Sequence, residues 1–231
     1  MIITNRRGLS PEEEKLPLAK YYDLPLYGPG PLQQQLIDAG SIDPKLAIKA
    51  EDFLDLLQPT GYQKAEYGYC MMDDGTGYLA VYTTYPNCTP EMLGWWFRWL
   101  NVHTKGMPKD KGNLKTEQRE QTLKAAGCWV DCAYESFHSV DPSHTQLPGA
   151  HLCLTLSRRS PLGFMEKCTR EWIGYGVKDG KVFRDETTPA SMLCEEYLKK
   201  VIIHSTVEAQ QLSKFLPDLY AEYKDKPDDA D

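Results

Sequence analysis

Apolar positions recur every three or four residues between about 190 and 215. At 100° per residue, Leu193, Tyr197, Val201, His204, Glu208, Leu212 and Phe215 share a stripe roughly 100° wide. That spacing predicts a long helix ending before Pro217. The β-branched run Val201-Ile202-Ile203 leaves a strand as the alternative. His204 and Glu208 stand out on this stripe. They lie four residues apart, so on a helix they point the same way. A glutamate on a face expected to be buried is costly unless something pairs with it. A metal ion such as zinc, a mutual hydrogen bond, or an arginine from elsewhere would each answer that cost.

Alternation at Tyr67 and Tyr69, then at Tyr78, Ala80 and Tyr82, predicts two strands joined by a tight turn at Asp74-Gly75-Thr76-Gly77. Thr89-Pro90-Glu91 opens a helix over roughly 90–101, with Thr89 as N-cap, Pro90 in the first turn and Met92, Trp95, Trp96 and Trp99 on an apolar surface. Apolar residues nearly vanish from 104 to 122. The first half of that stretch reads as a flexible loop, and Thr116 onward as a short helix through Leu123 to Ala126, stopped by Gly127. Strand-like runs follow at 128–138 and 150–158, and a hairpin over 172–184 turns at Asp179-Gly180. Before all of these, Pro11, Pro17, Pro25, Pro29 and Pro31 break up the first residues. Asp43-Pro44 then starts a helical pattern through Leu46, Phe53, Leu56 and Leu57. The expected organisation is an N-terminal arm with a short helix over residues 1–60 and a main domain over 61–231. Its expected fold class is α+β, a curved antiparallel sheet gripping a long C-terminal helix. The cavity between them would suit a small apolar ligand.

Composition narrows the function classes. A net charge of −7 without a basic, aromatic-interleaved run argues against a nucleic-acid surface. No apolar stretch is long enough to span a bilayer. Residues 1–20 carry Glu12-Glu13-Glu14 and lack the apolar core of a secretory signal, so a cytoplasmic location is expected. Seven scattered cysteines with no Cys-x-x-Cys pair read as reduced thiols. There is no Gly-x-Ser-x-Gly elbow, no His-Glu-x-x-His and no phosphate-binding Walker loop. Of five histidines, His151 opens the strand-like run His-Leu-Cys-Leu-Thr-Leu-Ser. There it is either a satisfied core histidine or part of a site.

Three blocks carry a family resemblance. They are Tyr67-Gly-Tyr-Cys-Met-Met-Asp-Asp-Gly-Thr-Gly-Tyr-Leu-Ala80, Pro86-Asn-Cys-Thr-Pro-Glu-Met92 with Trp95-Trp-Phe-Arg-Trp99, and His204-x-x-x-Glu208 followed by Leu212 and Phe215-Leu-Pro-Asp-Leu-Tyr-Ala-Glu-Tyr223. Together they resemble the 2,4-diacetylphloroglucinol hydrolase and phloretin hydrolase family over most of residues 60–223. The resemblance implies a helix-grip, Bet v 1-like domain behind a small N-terminal domain that helps form homodimers. It implies hydrolysis of the carbon–carbon bond between an acyl group and a phloroglucinol ring, and so a small aromatic ketone as substrate. It also implies a divalent metal, usually zinc, held by two histidines and two glutamates. His204 and Glu208 map onto two of these ligands, and His151 onto a histidine beside the substrate.

One departure stands out. The family segment that carries the other two ligands has no counterpart where Gly112-Asn-Leu-Lys115 runs into Thr116-Glu-Gln-Arg-Glu120. Glu135, His138 and His103 are conceivable substitutes. The alternative expectation is therefore a non-catalytic module that binds an aromatic or polyketide ligand and keeps an incomplete metal site.

Overall fold

The structure is a computed structural model that describes residues 2–3, 8–22, 24–53, 62–103, 109–113, 129–137, 149–178 and 181–226. It is α+β. The strands are β1 (Ile2–Ile3), β2 (Leu26–Tyr27), β3 (Gly68–Met71), β4 (Gly77–Tyr85), β5 (Lys109–Asn113), β6 (Trp129–Phe137), β7 (His151–Arg159), β8 (Met165–Ile173), β9 (Tyr175–Lys178) and β10 (Lys181–Arg184). The helices are α1 (Ala19–Tyr22), α2 (Pro31–Asp38), α3 (Pro90–His103) and α4 (Glu195–Tyr223). Six strands form one antiparallel sheet in the order β3-β4-β8-β7-β6-β5.

Register decides what each face carries. Leu79 stands opposite Glu171, and Glu171 opposite Cys153, so these three share one row and one face. On that face Leu79, Val81 and Ile173 pack against Leu198 and Ile202 of α4. The other face buries Tyr78, Ala80, Leu152, Leu154 and Trp172 beneath Ala50, Phe53 and Val177. The Trp172 indole N–H donates to the Ile48 carbonyl at 2.7 Å, which ties the N-terminal segment to this face. Residues 42–53 therefore complete the core. There Asp43 caps a single 3-10 turn, Pro44–Leu46, and a second turn follows at Ala50–Asp52 in place of the continuous helix expected. The expected continuation through Leu56 and Leu57 lies outside the described residues.

The first hairpin follows its turn chemistry. Asp74 Oδ1 accepts from the Thr76 N–H and hydroxyl, and Gly75 takes φ +81°, a region that favours glycine. Thr89 Oγ1 accepts from the Met92 N–H at the start of α3. Trp95, Trp96 and Trp99 then stack among themselves and against Phe215, Tyr220 and Tyr223 of α4.

Four expectations change. First, α4 runs on through Pro217 to Tyr223. The proline removes one backbone donor, but Leu216 and Leu219 on either side are buried and hold the helix in place. Second, α4 buries Leu198, Ile202, Thr206, Ala209, Leu212, Ser213, Leu216 and Leu219. That face lies about one residue step, roughly 100°, round from the stripe read in the sequence. His204 and Glu208 sit on its flank, with side chains 79% and 65% exposed. A second apolar row at Tyr197, Val201 and Phe215, half-buried at the edge of the contact, drew the sequence pattern off centre. Third, Lys109–Asn113 forms the edge strand β5 rather than a loop. Ladder pairing to β6 holds it despite its polar composition. Fourth, β8 is a nine-residue central strand that the sequence pattern did not show. The expected helix after Thr116 and the turn at Asp179-Gly180 lie outside the described residues, although β9 and β10 pair on either side of that turn.

Candidate functional site

The first row of β7 and the last rows of β8 bring a histidine and a glutamate together beneath α4. His151 Nε2 lies 2.8 Å from Glu171 Oε2, and both side chains are nearly closed to solvent. From the helix, Ser205 Oγ donates to the other oxygen, Glu171 Oε1, at 2.9 Å. Burial alone would raise the Glu171 carboxyl pKa. The hydrogen bond and charge of His151, the Ser205 hydroxyl and nearby Lys167 outweigh burial and hold it below the usual carboxylate range. An ionised carboxylate only accepts hydrogen bonds, so Nε2 carries a proton at this contact. This is the chemistry of an oriented acid–base pair, in which a buried carboxylate fixes the ring and its tautomer.

Glu208 and Lys167 extend the site along the same side of the helix. Lys167 is four residues from Glu171 on β8 and shares its face. Burial would lower its ammonium pKa, but Tyr85, Glu208, Cys153 and Glu171 together hold it raised. His204 Nε2 stands 4.0 Å from Glu208 Oε2. That pair offers one nitrogen and one oxygen donor, and tetrahedral zinc would need the two exposed side chains to draw closer together. Among the described residues, no group of three or more histidine, cysteine, aspartate or glutamate side chains is arranged to hold a metal. Of the conceivable substitute ligands, Glu135 stands opposite Cys153 in the row that contains Glu171. His103 ends α3. His138 lies outside the described residues.

All three sequence-read residues therefore border one stretch of the sheet–helix contact: His151 in its floor, His204 and Glu208 at its open edge. The sequence did not single out Glu171, Ser205 or Lys167. The available signal was Met165-Glu-Lys-Cys-Thr-Arg-Glu-Trp-Ile173, a strand with charged groups at inward positions, which only their pairing makes tolerable.

Two comparisons with known proteins bear on the site. Residues 48–108 match the DAPG hydrolase PhiG domain family. Phloretin hydrolase from Eubacterium ramulus is 24% identical, in an alignment covering 94% of this chain and 94% of that protein. The alignment runs over 273 positions, whereas 94% of 231 residues is about 217. About 56 aligned positions of the relative thus have no counterpart in this chain. The chain is therefore similar to the DAPG hydrolase domain family over part of its length and to phloretin hydrolase over nearly all of it.

Proposed function

We propose that the protein is a hydrolase that cleaves the carbon–carbon bond between an acyl group and a phloroglucinol-type ring. The observation that carries this reading is the buried His151–Glu171 pair, tied to α4 by Ser205, in a chain similar to the DAPG hydrolase domain family and to phloretin hydrolase. The long helix laid across an antiparallel sheet supports a helix-grip arrangement. In the same reading, residues 1–60 belong to an N-terminal unit that helps form a homodimer.

The chemistry fits an oriented imidazole. Water adds to the acyl carbonyl, the bond from that carbon to the ring breaks, and the electron pair stays on the ring carbon. A polyhydroxylated ring stabilises that carbanion through its keto tautomer. One proton must reach the ring carbon, and the acyl carbon leaves as a carboxylic acid. His151 is the group assigned to hold and deliver that proton, with Glu171 keeping the ring in one tautomer. His204 and Glu208 fit a divalent metal, most readily zinc, as two of its ligands. When bound, the metal would supply Lewis-acid polarisation or an acidified water.

A second reading has its own support. The roughly 56 positions absent relative to phloretin hydrolase favour a module that binds an aromatic ligand without turning it over. Incubating zinc-supplemented protein with phloretin and following phloroglucinol by chromatography separates the two. Release abolished by His151→Ala supports the hydrolase. Saturable binding without release supports the module.

A further inference from the structure

A second polar cluster lies on the same sheet face, farther along α4 from His151. Thr83, Lys167 and Ser157 stand side by side in one row across β4, β8 and β7. Tyr85 occupies the next row on β4. Thr83, Tyr85 and Ser157 are all more than nine-tenths buried. Neither the Ser157 hydroxyl, the Thr83 hydroxyl nor the Tyr85 phenol meets a hydrogen-bond partner. Tyr85 and Thr83 are close enough to influence each other, yet they make no bond of normal geometry.

Buried polar groups are satisfied in the great majority of folded proteins, and each orphan costs about 1–3 kcal/mol. Three orphan hydroxyls beside one lysine are hard to explain as packing. Their surroundings are apolar: Val81 lies in the neighbouring row, and Met165, Ala209 and Leu212 belong to the adjoining core cluster. Such a surface matches a ring edged with hydroxyls better than a bare inorganic anion. The serine, threonine and tyrosine hydroxyls both donate and accept, as a phenol does. The nearby Glu208 carboxylate disfavours a full negative charge.

We propose that Thr83, Ser157, Tyr85 and Lys167 form a subsite that receives the ring hydroxyls of a polyphenol. Lys167 lies four residues from Glu171 along β8, roughly 13 Å away, so a ring held here is separate from one reacting at His151. The subsite rests on the aromatic-ligand part of the reading above but not on catalysis. Entry requires the long Lys167 side chain to swing aside, because the orphan atoms are sealed from solvent.

Calorimetry with phloroglucinol, and with 1,3,5-trimethoxybenzene as the ring without hydroxyl protons, tests it. The wild type is expected to prefer phloroglucinol by at least tenfold. Ser157→Ala, Thr83→Val and Lys167→Met should each erase most of that preference. Ser157→Ala and Thr83→Val should also leave the melting temperature unchanged or higher, because each removes an orphan polar atom. An undiminished preference in all three variants overturns the subsite and leaves the proposed function standing. A melting temperature lowered by several degrees in Ser157→Ala, with affinity unchanged, marks a structural hydroxyl and overturns it too. A wild type that binds neither ring overturns both the subsite and the aromatic-ligand reading.

Discussion

Ser205 on α4 and Glu171 on β8 share a hydrogen bond of 2.9 Å, and the same carboxylate holds His151 at 2.8 Å. One buried glutamate thus sets the histidine relative to the helix that carries His204 and Glu208. Removing it should disturb the histidine before it disturbs the fold.

Glu171→Gln keeps the shape and can still accept from Ser205, but it loses the charge that fixes the His151 tautomer. In a turnover assay kcat should fall about 100-fold, the low end of what an acid–base group contributes, with KM little changed. A purely structural role would instead lower stability and leave kcat intact.

The same carboxylate gives a pH signature. Its folded-state pKa lies below the ordinary 4.5, so its stabilising contribution is complete above 4.5 and is lost as pH falls below that value. Urea unfolding between pH 6 and pH 3 should show a steeper acid loss in wild type than in Glu171→Gln. Parallel pH curves would contradict the assignment.

His204→Ala and Glu208→Ala test the flank of α4. Both side chains are largely exposed, so each variant should unfold within about 0.5 kcal/mol of wild type in metal-free buffer. Equilibrium dialysis with zinc should show uptake by wild type that both variants lose. Equal uptake by all three proteins would remove the pair from any metal site.

On the far face of the sheet, Arg158 Nε donates to Glu166 Oε1 at 2.6 Å, while the Tyr62 and Tyr82 hydroxyls donate to Oε2. Glu166→Leu strands a buried guanidinium and should cost about 3–5 kcal/mol in chemical denaturation. The double variant Arg158→Met/Glu166→Leu should recover much of that loss. Additive losses would show that the pair does not act as a unit.

Gly77 sets how closely α4 approaches the sheet. A Cβ there would meet Leu198 Cδ2 at 2.5 Å and Ile173 Cβ at 3.3 Å. Leu198 is fully buried, so Gly77→Ala should cost roughly 1–3 kcal/mol through overpacking. An unchanged melting temperature would mean that the helix is not seated as described.

The elements legible in the sequence are those whose signal is local. Asp74-Gly75 and Thr89-Pro90 announce their turn and cap through short-range hydrogen bonds. What stayed hidden depends on contacts distant in sequence. Strand β8 places Glu166, Arg170 and Glu171 inside, and each is tolerated because of a partner far along the chain or on a neighbouring strand. The buried face of α4 was misjudged because Tyr197, Val201 and Phe215 are apolar at its edge, where half-burial is enough to keep them. His151, His204 and Glu208 were found by residue type and spacing. Glu171, which holds one of them and is tied to the helix carrying the others, could only be found through the register of β7 and β8.

The most direct measurement is product formation from phloretin by zinc-supplemented wild type beside His151→Ala. Wild type should release equimolar phloroglucinol and carboxylic acid, and the variant neither. Phloretin bound tightly by wild type, with no phloroglucinol released, would contradict the proposed hydrolysis.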